Sequence, residues 1–151
     1  MRPRTVADGD ALLAVLRLVH EHDGYPLHAV HLTTDWLYDG IDHAWVAERD
    51  GRLLGHAAVV PADGLLALTR FFVARDARGS GAGSALLDVV EAWADERSAG
   101  LVLDVVEHNT DAMAMYERRG WVRTGQVEAR WVGGSGPWPT AFVYARPRPT
   151  P

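Results

Sequence analysis

The sequence predicts a mixed α/β fold in which one central, mixed but mostly antiparallel sheet is flanked by helices. Apolar runs of strand length alternate with stretches that repeat apolar residues every three or four positions, as amphipathic helices do. Three strand-like runs follow one another between residues 44 and 73, joined by short turns. The chain has 151 residues, 48 % of them apolar, which suffices for one core. We therefore expect a single domain over residues 1–151, with 146–151 as a frayed tail.

The N-terminal part predicts the end of an edge strand and then a helix. Residues 1–6 form a short opening segment. Asp8 or Asp10 can cap the helix, since short polar side chains accept hydrogen bonds from the first amides of a helix. The apolar face of this helix is Leu12, Val15, Leu16 and Val19.

Residues 20–43 are irregular in pattern and rich in aromatic and histidine side chains. One short helix is expected through Trp36, with Thr33 or Thr34 as its cap. The stretch is too aromatic to be a linker, so we expect it to form a concave wall.

The middle of the chain predicts three consecutive antiparallel strands. Ala44–Glu48 and Leu53–Val60 are joined by a turn that contains Asp-Gly, which is typical of a hairpin. A second turn, residues 61–64, leads to the strand that ends at Val73.

The second half predicts a helix beginning near Ser84, a central strand, another helix and a closing hairpin. These later elements are the strand Leu101–Glu107, the helix from Asn109 or Thr110 to Gly120, and the strands Trp121–Val132 and Thr140–Tyr144.

Composition excludes several classes of function. The chain has no cysteine, which excludes disulfides, thiolate metal sites and a cysteine acyl-enzyme. Its net charge is -5 without a basic cluster, so we expect no nucleic-acid partner. We find no apolar run that could span a membrane and no signal peptide, so a cytoplasmic location is expected. The sequence leaves a homodimer open.

A glycine-rich loop follows the strand Leu68–Val73. It reads Arg78-Gly79-Ser80-Gly81-Ala82-Gly83 and leads into an amphipathic helix. The start of a helix presents unpaired N–H groups and the positive end of the helix dipole, which together bind phosphate. Most helices place an acid there, but this one has none before Asp88. The loop is predicted to bind phosphate; a tight turn that only packs the helix on the strand is the alternative.

Three phosphate-binding patterns compete for this loop. The Walker A loop requires a lysine, and the sequence contains none. The dinucleotide pattern needs glycine at Ser84 and an acid at the end of the next strand, whereas Asp104 falls in mid-strand. The third pattern, Arg/Gln-x-x-Gly-x-Gly/Ala after a strand, is met by Arg78, Gly81 and Gly83.

The third pattern resembles the loop that holds the coenzyme A pyrophosphate in the GNAT superfamily of N-acetyltransferases. The opening Arg2-Pro3-Arg4-Thr5-Val6-Ala7-Asp8 is similar to that family's usual start. A second signature is matched by Leu103-x-Val105-x-x-x-Asn109-x-x-Ala112-x-x-Met115-Tyr116-x-x-x-Gly120-Trp121, with Trp121 where phenylalanine is commoner. The order of elements is also that of the GNAT fold. The resemblance implies an acyltransferase that moves an acetyl group from acetyl-CoA to an amine by direct attack in a ternary complex.

The resemblance also implies roles for particular residues. Tyr116 protonates or hydrogen-bonds the leaving thiolate, a backbone N–H near Phe72 or Val73 binds the thioester oxygen, and Asn109 contacts the pantetheine, caps its helix, or does both. The cofactor-binding residues are then Phe71, Phe72, Val73, Arg78, Gly79, Ser80, Gly81, Ala82, Gly83, Ser84, Asn109 and Tyr116.

The general base is less evident. Many family members use a glutamate on the strand before the loop, but the stretch 65–70 contains no acid. Glu107, at the end of the following strand, is the first substitute. The next candidates are His108, His56 and His31; a water chain, or an acceptor amine of low pKa, would need no dedicated base.

The acceptor is predicted to be a small-molecule amine, and the net charge favours a cationic one. Protein or peptide N-acetylation and a non-catalytic acyl-CoA-binding sensor are the alternatives. Histidine pairs near residues 20–31 are weak metal motifs without cysteine, so we expect no metal. The candidate acceptor-binding residues are Tyr25, His28, His31, Trp36 and Trp138.

Overall fold

A computed structural model describes residues 1–26, 28–41, 43–132 and 135–147. Seven strands form one sheet in the order β1-β2-β3-β4-β5-β7-β6. The strands are β1 (Arg2–Pro3), β2 (His43–Arg49), β3 (Arg52–Ala62), β4 (Leu65–Val73), β5 (Leu101–Val106), β6 (Val122–Glu128) and β7 (Thr140–Arg146). The helices are α1 (Gly9–Asp23), α2 (Thr34–Tyr38), α3 (Ala82–Glu96) and α4 (Thr110–Arg118).

The described strand pairings confirm the predicted mixed, mostly antiparallel sheet. β5 pairs with β4 in parallel, while β1 with β2, β2 with β3, β5 with β7, and β6 with β7 are antiparallel. The predicted order of helices and strands is also confirmed. Within the described residues, no helix is both long enough and apolar enough to cross a bilayer.

The chain forms two compact units. The first is Met1–Val60 with Leu68–Trp93, and the second is Pro61–Ala67 with Ala94–Pro151. The prediction of one domain stays a prediction.

The core of the first unit is built by the predicted apolar face of α1. Leu12, Leu16 and Val19 are buried there, together with residues of α2 and the strands: Leu37, Val46, Leu53 and Phe72. The helix ends at Gly24, whose φ of 72° is left-handed and whose N–H donates to the carbonyl of His20 at 2.9 Å. Asp8 does not cap α1 with its side chain, contrary to prediction. Its carboxylate instead accepts from the amide of Thr5 and from Arg2.

Two local predictions in this unit are confirmed. The side chain of Thr33 caps α2 by accepting from the amide of Trp36 at 3.1 Å. The β2–β3 hairpin turns at Asp50 and Gly51, with φ of 53° and 78°. Consecutive positive φ angles are those of the favoured two-residue hairpin turn.

The second unit shows where the predicted boundaries were wrong. β6 ends at Glu128 and a 3-10 turn occupies Arg130–Val132, so the strand predicted to continue to Val132 is shorter. Arg146 is not part of a frayed tail, because it pairs with Leu101 in the sheet and its guanidinium bonds Asp95 at 2.7 Å. Gly133, Gly134 and residues 148–151 lie outside the described residues.

Candidate functional site

The glycine loop lies in the first unit, between a 3-10 turn and α3. Gly79 and Gly81 have φ of 83° and 90°, which other residues rarely adopt. A Cβ atom at either position would meet nothing within 4 Å. The glycines are therefore required by backbone conformation and not by crowding. α3 begins at Ala82, two residues before the predicted start.

The amides of this loop divide into two groups. The N–H of Arg78 donates to the carbonyl of Arg75 at 3.3 Å, and that of Ser80 donates to Ala77 at 3.2 Å. These two amides, predicted to face a phosphate, are occupied by the turn itself. A role of Arg78 and Ser80 in cofactor binding stays a prediction. Within the described residues, no acceptor is found for the other five amides of the predicted set: Gly79, Gly81, Ala82, Gly83 and Ser84.

The charge at this end of α3 is positive. The first turn of α3 contains no acidic side chain, so the helix itself supplies no negative charge to balance its dipole. The guanidinium of Arg78 bonds the carboxylate of Asp23 at 2.5 Å and lowers its pKa. Both side chains are partly exposed, and such surface pairs contribute only about 0–1 kcal/mol. A phosphate can therefore compete with Asp23 for Arg78.

The strand before the loop is held close to its neighbour β3. A Cβ atom on Gly55 would lie 2.8 Å from the carbonyl oxygen of Phe72, so only glycine lets the two backbones approach. A Cβ on Gly83 would touch Val73 at 3.4 Å and Phe71 at 3.8 Å, which places the loop against the predicted cofactor strand. Sequence reasoning missed Gly55, although a glycine inside an apolar strand signals a close approach of backbones.

Arg70, directly before Phe71, has a φ of 47°. This left-handed conformation is uncommon for a side chain with a Cβ, and it marks a backbone that its surroundings hold in place. One contact that holds it comes from His56, whose Nδ1 lies 2.7 Å from the carbonyl oxygen of Arg70.

The tautomer of His56 follows from its two partners. An arginine can only donate, and Nη1 of Arg4 lies 3.1 Å from Nε2, so Nε2 accepts and Nδ1 carries the proton donated to Arg70. Burial is the main cause that lowers the pKa of His56, to about 4. Both ring nitrogens of His56 are occupied, which favours a structural role for this residue over that of a general base, for which it was one of the candidates after Glu107.

Four predicted acceptor-binding residues come together in the first unit. The rings of His31 and Trp36 stack at 5.3 Å, Tyr25 meets Trp36 edge-on at 6.3 Å, and His28 lies 6.3 Å from His31. Arg70 joins this group with its guanidinium 4.8 Å from the centre of the Trp36 ring. The fifth predicted residue, Trp138, belongs to the second unit, where Arg130 lies 4.6 Å from its ring.

Tyr25 links this aromatic group to the cofactor strand. Burial raises the pKa of its phenol, while the charge of Arg70 and a hydrogen bond from the backbone of Phe71 act in the opposite direction. The backbone of Phe71, predicted to face the cofactor, therefore lies beside this phenol. Burial also lowers the pKa of His31, with smaller effects from His28 and Arg70, so His31 favours the neutral form.

The second unit contains the other predicted catalytic residues. Tyr116 on α4 is 5 % exposed and packs against Trp121 and Tyr144, with ring centres 5.6 Å and 6.2 Å away. Asn109 occupies the N-cap position of α4, but its side chain makes no cap hydrogen bond. Glu107 is exposed after β5, where its N–H donates to the carbonyl of Thr140 at 2.9 Å.

Comparisons with known proteins show what this chain is similar to in sequence and fold. A family model described as "Acetyltransferase (GNAT) family" matches residues 11–121. Nourseothricin acetyltransferase is 31 % identical with a TM-score of 0.64; the match covers 71 % of this chain and 65 % of that one. A ribosomal-protein-alanine N-acetyltransferase from Brucella melitensis is 27 % identical over 96 % of this chain and 97 % of its own, with a TM-score of 0.74.

A third similar structure, from Bacillus anthracis, was solved in complex with acetyl coenzyme A. It is 18 % identical, with a TM-score of 0.63, and the match covers 73 % of this chain and 64 % of that one. At this identity the likeness concerns the fold alone. The chain thus spans slightly less than two thirds of the length of two of these three structures.

Proposed function

The chain belongs to the acetyltransferase (GNAT) family and is an acyltransferase that uses acetyl-CoA, and from this premise we propose that its acceptor is a primary amine of a small molecule. The acetyl thioester of the cofactor supplies an activated acyl group. The observation that carries the use of the cofactor is the glycine loop, in which five amides find no acceptor among the described residues and stand at the positive end of a helix. These amides fit a diphosphate, which needs several oriented donors.

The amide of Val73 is the best donor for the thioester oxygen. Successive N–H groups of a strand point to opposite edges. The N–H of Ala74 donates to Leu54 on β3 at 2.7 Å, so that of Phe72 points to the same edge. Val73 and Phe71 then share the other edge, where the backbone N–H of Phe71 acts on the phenol of Tyr25 and lowers its pKa. Val73 therefore remains to bind the oxygen as negative charge develops on it.

Proton transfer is assigned to two residues of the second unit. Tyr116 donates to the leaving thiolate, since a phenol of pKa about 10 still carries its proton at neutral pH. Glu107 takes the proton of the acceptor amine, and His31, which favours its neutral form, is the alternative. Asn109 binds the pantetheine arm with the side chain that the helix does not use.

Two acceptor classes have specific support. The 31 % identity with nourseothricin acetyltransferase supports a small-molecule amine. The match to the ribosomal-protein-alanine enzyme has a lower identity of 27 % but covers nearly the whole chain, so an N-terminal alanine of a protein is the second candidate. A cytoplasmic location and a homodimer remain expectations.

The test is thiol release from acetyl-CoA with two sets of acceptors. One set contains small primary amines, and the other contains peptides that begin with alanine. We expect at least one small amine to be acetylated with a higher kcat/KM than any of the peptides. Acetylation of the peptides alone would replace the small-molecule proposal by the second candidate. Thermal stabilisation by coenzyme A, measured in parallel, reports cofactor binding separately.

A further inference from the structure

The guanidinium of Arg70 is half-buried but contacts only neutral oxygens. Its Nε donates to the carbonyl of Trp36 at 2.9 Å, and its Nη1 donates to the hydroxyl of Thr69 at 3.1 Å. Among the described residues, no carboxylate forms an ion pair with it. Burial lowers the pKa of Arg70, and the opposing effects of Tyr25 and then Asp39 are smaller.

An arginine of this kind retains donors for a ligand. A guanidinium has five N–H groups in a planar fork, and the two bonds above leave three without an acceptor among the described residues. A half-buried charge without a counter-ion is unfavourable, so an anion that reaches it gains more than it would at an exposed arginine. Planar carboxylates match the fork in two parallel hydrogen bonds.

Contacts with neighbouring residues fix both the backbone and the side chain of Arg70. His56 holds its carbonyl, and its guanidinium lies over the ring of Trp36. The surrounding rings belong to the predicted acceptor-binding group, and none of them carries a negative charge at neutral pH: Tyr25, His31 and Trp36. This patch is therefore aromatic and positive, although the whole chain is negative.

Arg70 is also close along the chain to the proposed acyl-binding amide. Val73 is three residues further along, and three residues of a strand span about 10 Å. A molecule that contacts both the arginine and the acyl group is therefore of small-molecule size.

We propose that Arg70 binds a carboxylate carried by the acceptor, so that the substrate is an amino-acid-like molecule with its amine directed to the thioester. This inference rests on the proposed small-molecule function and narrows it. It also replaces the expectation of a cationic acceptor, which was based on net charge alone and not on the charges at the site.

The experiment compares matched acceptors that differ only in the carboxylate. Each amino acid of a panel is assayed beside its amide and its decarboxylated amine, with acetyl-CoA and thiol detection. We expect a kcat/KM at least about tenfold higher for the carboxylate member, because each good charged pair is worth about that factor. Arg70→Gln should remove the preference and leave the KM for acetyl-CoA unchanged.

Two further variants keep the test decisive. Arg70→Lys retains the charge without the fork and should keep only part of the preference. Arg17→Gln changes an exposed arginine of α1 and should leave the preference intact. Thermal unfolding of each variant, with and without coenzyme A, shows that it folds and binds the cofactor.

The outcomes separate this inference from the proposed function. Equal rates for acids and amides, a preference that survives in Arg70→Gln, or turnover of the decarboxylated amines alone would overturn the role of Arg70 and leave a small-molecule transferase. If coenzyme A stabilises the protein but no member of the panel is acetylated, the inference fails, and the peptides decide the proposed function.

Discussion

Two left-handed backbone segments flank the proposed cofactor strand, and they are made in different ways. After Phe71–Val73, the loop uses Gly79 and Gly81, which adopt positive φ angles without steric cost. Before it, Arg70 adopts a φ of 47° with a full side chain. The glycines adopt their conformation without help from distant residues, whereas the conformation of Arg70 depends on contacts with His56 and Trp36.

The difference separates two kinds of functional residue. The loop is built from neighbours in sequence, and its ligand contacts are backbone amides that any chain with this spacing would offer. The segment at Arg70 is built from residues 14 and 34 positions away. Its contribution is a side chain, which can distinguish one acceptor from another. We therefore expect changes in the loop to affect cofactor binding, and changes around Arg70 to affect acceptor choice and stability.

The largest effect is expected from Gly81→Asp. The substitution places a strained backbone and a negative charge beside the diphosphate, so we expect coenzyme A affinity to fall by about 100-fold or more. Calorimetric titration measures it. Gly64→Asp is the matched control, since Gly64 has a similar φ of 80° and open space at its Cβ. An unchanged affinity in Gly81→Asp would remove the loop from the cofactor site.

The substitution Tyr116→Phe tests whether acetyl transfer also depends on a residue that lies outside the glycine loop and the segment at Arg70. We expect kcat to fall by about 100-fold, a common effect of removing a general acid, while coenzyme A affinity changes little. Tyr144→Phe is the control, because Tyr144 is another buried tyrosine of the same unit and its hydroxyl is bonded by Arg123. If both variants turn over alike, Tyr116 only packs.

Because His56 holds the segment at Arg70 and titrates, we expect the free energy of unfolding to depend on pH. The pKa of His56 is lowered to about 4 in the folded state, from 6.5. As the pH falls, the imidazole of His56 therefore becomes protonated at a higher pH in the unfolded chain than in the folded protein. The contribution of neutral His56 is complete above pH 6.5 and is lost as the pH falls towards 4. We expect the free energy of unfolding to drop by about 2 kcal/mol between pH 7 and pH 5.

Urea unfolding of the protein and of His56→Asn at both pH values measures this drop. The variant cannot titrate, although its amide can still donate to the carbonyl of Arg70. Between pH 7 and pH 5, the free energy of unfolding of the variant should therefore drop by about 2 kcal/mol less than that of the unchanged protein. An equal slope in both proteins would show that His56 is not the titrating group.

The smallest effect is expected from replacing Glu107, the proposed general base. Glu107→Gln should lower kcat about tenfold and flatten the acidic limb of the pH–rate profile, because an amide cannot accept the proton of the amine. His31→Gln is compared in parallel. A changed profile in the histidine variant alone would move the role to the aromatic group beside Arg70, and two unchanged profiles would indicate proton loss through water.

The sequence by itself determined the order of elements, the hairpin at Asp50 and Gly51, the cap at Thr33 and the glycine loop. Each depends on residues a few positions apart, so a propensity, a turn type or a spacing is enough to predict it. The sequence also indicated the aromatic residues of the stretch 25–36 as candidates for binding the acceptor, but it did not indicate which other residues they contact.

Only the tertiary structure decided which amides of the loop remain for a ligand and which groups meet at Arg70. The amide of Ser80 donates to the turn before it, and the backbone of Phe71 lies beside a phenol 46 residues earlier in the chain. His56, which contacts Arg4 through its other ring nitrogen, likewise holds the carbonyl of Arg70 from a distant position. Hydrogen-bond satisfaction and burial are properties of the packed chain, because a buried polar group takes whichever partner the fold brings to it.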